Sequence, residues 1–323
     1  MLRYILKRIG YSLLTLWVLV TFTFLLMHLM PGDPFIGQKK VPENIRQAQF
    51  AKYGLDKPLY VQYFKYMDNL LHGDLGDSLQ YRNRPVAGII KQAFPYSFDL
   101  GMRALIFAFI AGVSLGTVAA IKHGKKWDTA TMIIAVIGVS VPAFIMGALL
   151  QYGIALKLTK LIQVVFHTDF RLLPISGWTS PAHKILPSFS LALGSLALMA
   201  RLMRTSMLDV VNQDYIKTAK AKGLSGIAIV WKHSIRNAIL PVITVLGPIA
   251  AAILTGAFVV ESVFNIPGMG RFFVISVQTL DYPMITGTTV FYGAFLILAN
   301  LLVDISYGFI DPRIRLAQGK GGA

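Results

Sequence analysis

Six stretches of about twenty mostly apolar residues dominate this chain, roughly 9–29, 98–121, 129–150, 186–203, 240–263 and 284–309. A helix of about twenty residues is what crosses the hydrocarbon core of a bilayer. No water is present there to take up loose backbone N–H and C=O groups, so a spanning segment bonds within itself. The pattern therefore predicts an all-α integral membrane protein with six transmembrane helices. The first window has three basic residues ahead of it and no small-residue cleavage site, and it reads as a retained span, not a signal peptide.

The polar segments between the windows give an orientation. Arg3, Lys7 and Arg8 precede the first window, and Lys122, Lys125 and Lys126 fill the short second-to-third connection. The segment 214–241 is strongly basic, and Arg313, Arg315 and Lys320 lie in the tail, whereas 264–283 carries only Arg271. Short loops rich in Lys and Arg stay in the cytosol, so both termini are expected there. The segment 30–96 has nine basic residues, but long loops translocate largely regardless of charge. Positive inner loops account for the net charge of +16 without nucleic acid, and the lipid bilayer is the expected partner. The chain has no cysteine, which removes disulfides, thiol catalysis and cysteine metal sites.

The outer segment carries helical signals of its own. Residues 43–53 read as a helix between Pro42 and Gly54. Residues 58–72 put Tyr60, Tyr63, Phe64, Met67, Leu70 and Leu71 on one face and stop at Gly73. Such a face suits a docking surface or a helix lying on the bilayer.

The basic stretch 214–241, DYIKTAKAKGLSGIAIVWKHSIRNAILP, reads as two short helices. The first covers about 215–222 and ends at Gly223, a residue suited to a left-handed cap. Ser225 can N-cap the second, which would align Ile227, Val230, Trp231 and Ser234 in one stripe. The residues alone leave two readings open: a grip for another protein, or a cytosolic loop that only sets topology.

Several motifs carry less than their letters suggest. Gly112-Val113-Ser114-Leu115-Gly116 spells a nucleophile elbow, but it lies inside an apolar window, where GxxxG brings helices close. The six histidines have no metal-ligand spacing, and no phosphate-binding loop GxxxxGK[ST] occurs, so no cofactor is expected on this chain. Asp304 and Glu261 are the acids nearest the windows' interiors, too few for an ion-coupled carrier. Pro142, between Gly138 and Gly147, reads equally as a path-shaping kink or a packing kink.

The stretch at 214–241 resembles the EAA loop of ABC importer permeases. Lys217, Thr218 and Ala219 stand where EAA would, Gly223 is the glycine, and Leu240 and Pro241 close the pattern. The Glu is replaced by Lys, and Ala238 replaces an Ile after a longer spacer. TAKAKGL, the N-terminal RYILKRIGYSLLTLW, KYGLDKPLYVQYF, GVSVPAFIMG, VVESVFNIPGMG and DISYGFIDPRIR are similar to the oligopeptide, dipeptide and nickel branch, closest to the B-type oligopeptide subunit. The resemblance implies a permease with no catalysis of its own, multi-pass in a bacterial cell membrane. It implies a homologous second permease, two cytosolic ABC ATPases carrying ATP and magnesium, and an extracytoplasmic peptide-binding protein that meets the outer segment.

The corresponding division is 1–30 for the N-terminus and first span and 31–96 for a helical extracytoplasmic segment. The transmembrane domain is 97–311, with its coupling loop at 207–239, and 312–323 is a cytosolic tail. By resemblance the ATPase-coupling residues are Asp214, Tyr215, Lys217, Thr218, Ala219, Ala221, Gly223 and Leu224. Pro267, Gly268 and Gly270 are placed near an outer gate, and Gly138 and Pro142 are the path-shaping pair.

Overall fold

A computed structural model of the chain describes residues 2–29, 54, 56–81, 84–254 and 257–310, with only the backbone at 2–5 and 303–310. Among the described residues every regular element is helical, and the bridge between Asp77 and Pro85 is isolated. Helix α1 is Leu2–Leu29, α2 is Leu59–Leu71, α3 is Val86–Ile121 and α4 is Lys126–Ser140. Helix α5, Ala143–Phe166, contains a π-helical stretch at Gln151–Leu158. A 3-10 turn at Pro181–Lys184 leads into α6, Ile185–Val211. Helix α7 is Asp214–Ala221, and α8, Gly226–Ala238, is π-helical over Ile229–Ile235. Then follow α9 at Leu240–Leu254, α10 at Phe258–Val263, α11 at Met269–Thr279 and α12 at Tyr282–Ile310.

Among the described residues five helices are long and apolar enough to cross a membrane: Leu6–Leu29, Val86–Ile121, Ala143–Phe166, Pro181–Val211 and Tyr282–Leu302. The pair α8 and α9, bent by 52°, makes a sixth if it is one span. The window 129–150 is not one helix. Val141 is extended at φ −97° and ψ 120°, and Pro142 caps the start of α5. Proline lacks an N–H and disfavours a helical residue before it, which puts the break there. The window 240–263 is divided into α9 and α10. The helix expected at 43–53 and the basic tail residues lie outside the described residues.

The chain forms two compact units. In the first, Met1–Tyr96 with Gly268–Leu301, α2 lies against α1. The Tyr63 and Thr21 hydroxyls are 2.7 Å apart, His28 Nε2 is 2.9 Å from Gln62 Oε1, and the Phe24 ring packs on Tyr63 and Tyr66. Burial pushes the Tyr66 hydroxyl pKa up to about 12. Tyr60, Phe64 and Leu71 remain exposed, so the predicted stripe on α2 is divided between a packed side and an open one. Fully buried Asp281 accepts from the Leu79, Gln80 and Met284 N–H groups at 3.1, 3.1 and 3.2 Å, and from the Ser78 hydroxyl. One carboxylate thus caps α12 and fastens the segment 78–80 to it.

In the second unit, Ser97–Pro267 with Leu302–Ala323, α6 is the helix on which α4, α5 and α9 pack. Glycines make the close approaches. A methyl at Gly112 would lie 2.8 Å from Met199 Cβ, one at Gly116 2.5 Å from Ala200 O, and one at Gly138 2.8 Å from Leu193 O. The motif read as packing is therefore a backbone-to-backbone seam between α3 and α6. Ala104, Ala108, Leu196, Met199 and Met203 fill the core around it.

Candidate functional site

The stretch 214–238 folds as the two predicted helices. Gly223 has φ +75°, and its N–H donates to Lys220 O at 3.0 Å while Leu224 N–H donates to Ala219 O at 3.3 Å. This pair of bonds is the Schellman ending, which needs a left-handed residue at the glycine position. Ser225 Oγ accepts from Ala228 N at 3.3 Å and caps the second helix. The turn geometry and both caps fall where the residue types place them.

The pair has a small core of its own. Ile216, Ala219 and Ile229 are buried against Val210 at the end of α6. Farther along α8, Ser234 and Ala238 are buried, and Ala238 joins the core cluster that holds Met203 and Met207 of α6. The stripe is therefore not the predicted one. Ile227 and Trp231 are 75% and 68% exposed, and Ile229 turns inward instead. The cause is the π-helical stretch, whose i→i+5 bonding changes which residues share a face.

Among the coupling residues, Tyr215 and Leu224 are exposed apolar side chains, as are Ile227 and Trp231 of the second helix. Asp214, Lys217, Thr218 and Ala221 are exposed, with Lys217 Nζ 2.8 Å from Asp214 Oδ1 and Thr218 Oγ1 donating to Asp214 O at 3.0 Å. Ala219 faces the chain's own second helix.

Sequence reasoning missed a cluster that joins α6 to the start of α4. Asp128, in the first turn of α4, has a side chain only 7% exposed. Arg204 of α6 donates from Nε to Oδ1 at 2.6 Å and from Nη2 to Oδ2 at 2.9 Å. Gly124 N–H donates to Oδ2 at 3.0 Å, and His123 Nδ1 lies 3.1 Å from Oδ2 and 3.0 Å from Arg204 Nη2. The Arg204 hydrogen bonds hold the Asp128 carboxyl well below the usual carboxylate range, against the opposing effect of burial. No sequence motif joins residues 128 and 204, though a lone acid opening an apolar window was a usable signal.

At the other end of α6, Lys184 Nζ lies 2.8 Å from Asp99 Oδ2 and Arg103 Nε 2.8 Å from Asp99 Oδ1. The turn at 265–270 begins with Asn265 at φ +50°, whose N–H donates to Ser262 O at 3.2 Å, while Ile266 N–H donates to Glu261 O at 2.8 Å. This is a second Schellman ending, with Asn in the glycine's place. Pro267 is exposed, while Gly268, which caps α11, and Gly270 are buried. Gly138 meets α6, and Pro142 follows the extended Val141.

Ser114 is exposed on α3. Among the described residues no group of three or more His, Asp or Glu can hold a metal ion. Glu261 is fully buried in α10, and the side chain of Asp304 lies outside the described residues.

Comparison with known proteins gives matches along the whole chain. The family described as binding-protein-dependent transport system inner membrane component matches residues 112–316, and its N-terminal companion matches 1–101. The dipeptide transport system permease protein DppB of Bacillus subtilis (strain 168) is 45% identical over 98% of this chain and 99% of its own length. The oligopeptide transport system permease protein OppB of Haemophilus influenzae is 42% identical, over 98% of this chain and all of its own. DppB of Lactococcus lactis subsp. cremoris is 39% identical, again over 98% of this chain and all of its own.

Proposed function

The chain belongs to the family of binding-protein-dependent transport system inner membrane components, and from that premise we propose that it is the transmembrane permease subunit of an ATP-binding-cassette importer for oligopeptides. It is a multi-pass membrane protein. Peptide arrives from an extracytoplasmic binding protein and crosses between this chain and a homologous permease. Two cytosolic ATPases, which hold ATP and magnesium, supply the energy. A dipeptide substrate is the second reading, favoured by the relative at 45% identity that is named for dipeptide transport.

One observation carries the coupling role. The helices α7 and α8 are anchored on α6 through Val210, Ile216, Ala219 and Ile229, yet leave Tyr215, Leu224, Ile227 and Trp231 exposed. Four large apolar side chains on a basic helix pair outside the spans form a surface suited to an ATPase groove. ATP-driven closure of the ATPases then moves the pair, and α6 with it, between outward-open and inward-open forms. Gly138 and Pro142 shape the path through the break between α4 and α5, and Pro267, Gly268 and Gly270 border the outer gate.

Six crossings with both ends cytosolic follow if α4 and the start of α5 cross together and α9, bent by 52° from a cytosolic α8, forms the fifth. Residues 31–96 then lie outside, and 97–311 form the transmembrane domain. A cysteine at Asp169 in this cysteine-free chain should react with an impermeant thiol reagent in intact cells, and one at Lys125 should not. Labelling at Lys125 from outside reverses the topology.

The coupling role is tested by Gly223→Val. Nothing lies within 4 Å of a Cβ there, so the strain falls on the left-handed backbone, about 1–2 kcal/mol. The protein should insert and pair normally while peptide uptake and ATPase co-purification fall. Full uptake with normal ATPase binding would remove the coupling role. Trp231→Ala tests the open surface directly, whereas Ala219→Glu puts a charge into the pair's own core.

A further inference from the structure

We propose that Arg204 and Asp128, assisted by His123, are positioning residues that carry the movement of the coupling helices into the α3–α4 hairpin. The proposal rests on the importer reading and adds to it a defined mechanical joint.

The core formed by Val210, Ile216, Ala219 and Ile229 makes the coupling pair one body with the end of α6. Ala238 reinforces this by packing in the cluster of Met203 and Met207. Arg204 sits on that same stretch of α6, about two helical turns before its end. A displacement of the pair is therefore a displacement of the Arg204 guanidinium.

Asp128 is bound at both oxygens by Arg204, and its Oδ2 also receives the Gly124 N–H. One carboxylate thus grips α6, the turn after α3 and the first turn of α4. His123 closes the group: its Nδ1 lies 3.0 Å from Arg204 Nη2 and 3.1 Å from Asp128 Oδ2.

The rest of the α3–α6 contact is a different kind of joint. Gly112 and Gly116 lay smooth backbone against α6, which excludes overlap but resists sliding only weakly. A bidentate fork fixes distance and direction together. A buried ion pair adds little net stability over an apolar contact of the same size. Its placement on α6 shortly before the segment that anchors the coupling pair, where a side chain such as leucine would pack, is explained by its directionality.

The test uses the complete importer in proteoliposomes, measuring ATP hydrolysed and peptide imported in the same vesicles. Arg204→Lys keeps the charge and loses the fork; Asp128→Glu keeps the charge and shifts the carboxylate by one methylene. Each should assemble with the ATPases in normal amount. Each should raise the ATP consumed per peptide imported by roughly tenfold. The double variant, in which the longer acid meets the compact ammonium, should recover part of the loss. Equal assembly with an unchanged ratio in both single variants overturns the proposal. So does a loss of assembly that leaves the surviving complexes fully coupled, since that is the mark of a purely structural pair. If the unaltered complex imports no peptide at all, the importer reading itself fails, which is a separate result.

Discussion

The two ends of α6 carry the same chemistry in different surroundings. At one end Asp99 meets Lys184 and Arg103, with side chains 33%, 23% and 48% exposed. At the other Asp128 meets Arg204 at 7% and 22%. Lys184 and Arg204 are twenty residues apart on one rod, or about 30 Å, the thickness of a bilayer's hydrocarbon core. Both clusters thus suit the two edges of the membrane. Asp99 has a side chain a third exposed and gains little from contact. Asp128 is nearly covered, on an arginine no more exposed than Lys184, and depends on that partner. The difference teaches where the unit is stiff: charge at the Asp99 end marks a boundary, and charge at the Asp128 end makes a joint.

The largest test of that contrast is Asp128→Ala, which leaves Arg204 without its carboxylate and should cost about 3–5 kcal/mol. The readout is thermal unfolding of the solubilised protein. A cost below that of Asp99→Ala would erase the distinction between the ends. Next come the glycines of the seam. Gly116→Ala forces a methyl to 2.5 Å from a backbone oxygen, and Gly138→Ala one to 2.8 Å. Both should lose about 1–3 kcal/mol, Gly116 the more, as melting temperatures would report.

Acid gives a graded test. The folded-state pKa of Asp128 is depressed, so its stabilisation is full above the unfolded carboxyl value of about 4 and fades as pH falls below it. The stability gap between the unaltered protein and Asp128→Asn should be widest near neutrality and narrow progressively as pH falls below about 4. A gap that widened in acid would reverse the assignment. Asp99→Asn should cost only about 0–1 kcal/mol. Ser114→Ala should change neither uptake nor melting; a folded but inactive variant would revive hydrolytic chemistry at that serine.

Length and apolar character were enough to read an all-helical membrane protein, because a helix in lipid satisfies its backbone alone. Local chemistry was equally readable at Gly223 and Ser225, whose capping bonds span only a few residues. Legibility failed where the outcome depended on distant partners. Asp128 and Arg204 lie 76 positions apart, and nothing in either neighbourhood announces the other. The proline at 142 announced a kink, but not that the helix after it would run on to Phe166. The α2 stripe was visible as a stripe, while the choice of which half packs on α1 depended on Thr21, Phe24 and His28.

The π-helical stretch Ile229–Ile235 acts on rotation. On a uniform α-helix residues 227, 231, 234 and 238 would point in nearly the same direction, and all would compete for one neighbour. One i→i+5 step retards the helix by a residue, about 100° of turn. The first half of α8 is thereby aimed away from the bundle while the second half stays aimed at it. A single helix can face outward at Ile227 and Trp231 and inward at Ser234 and Ala238 with no hinge between them. Torque applied to the outward half therefore reaches the inward half through an unbroken axle.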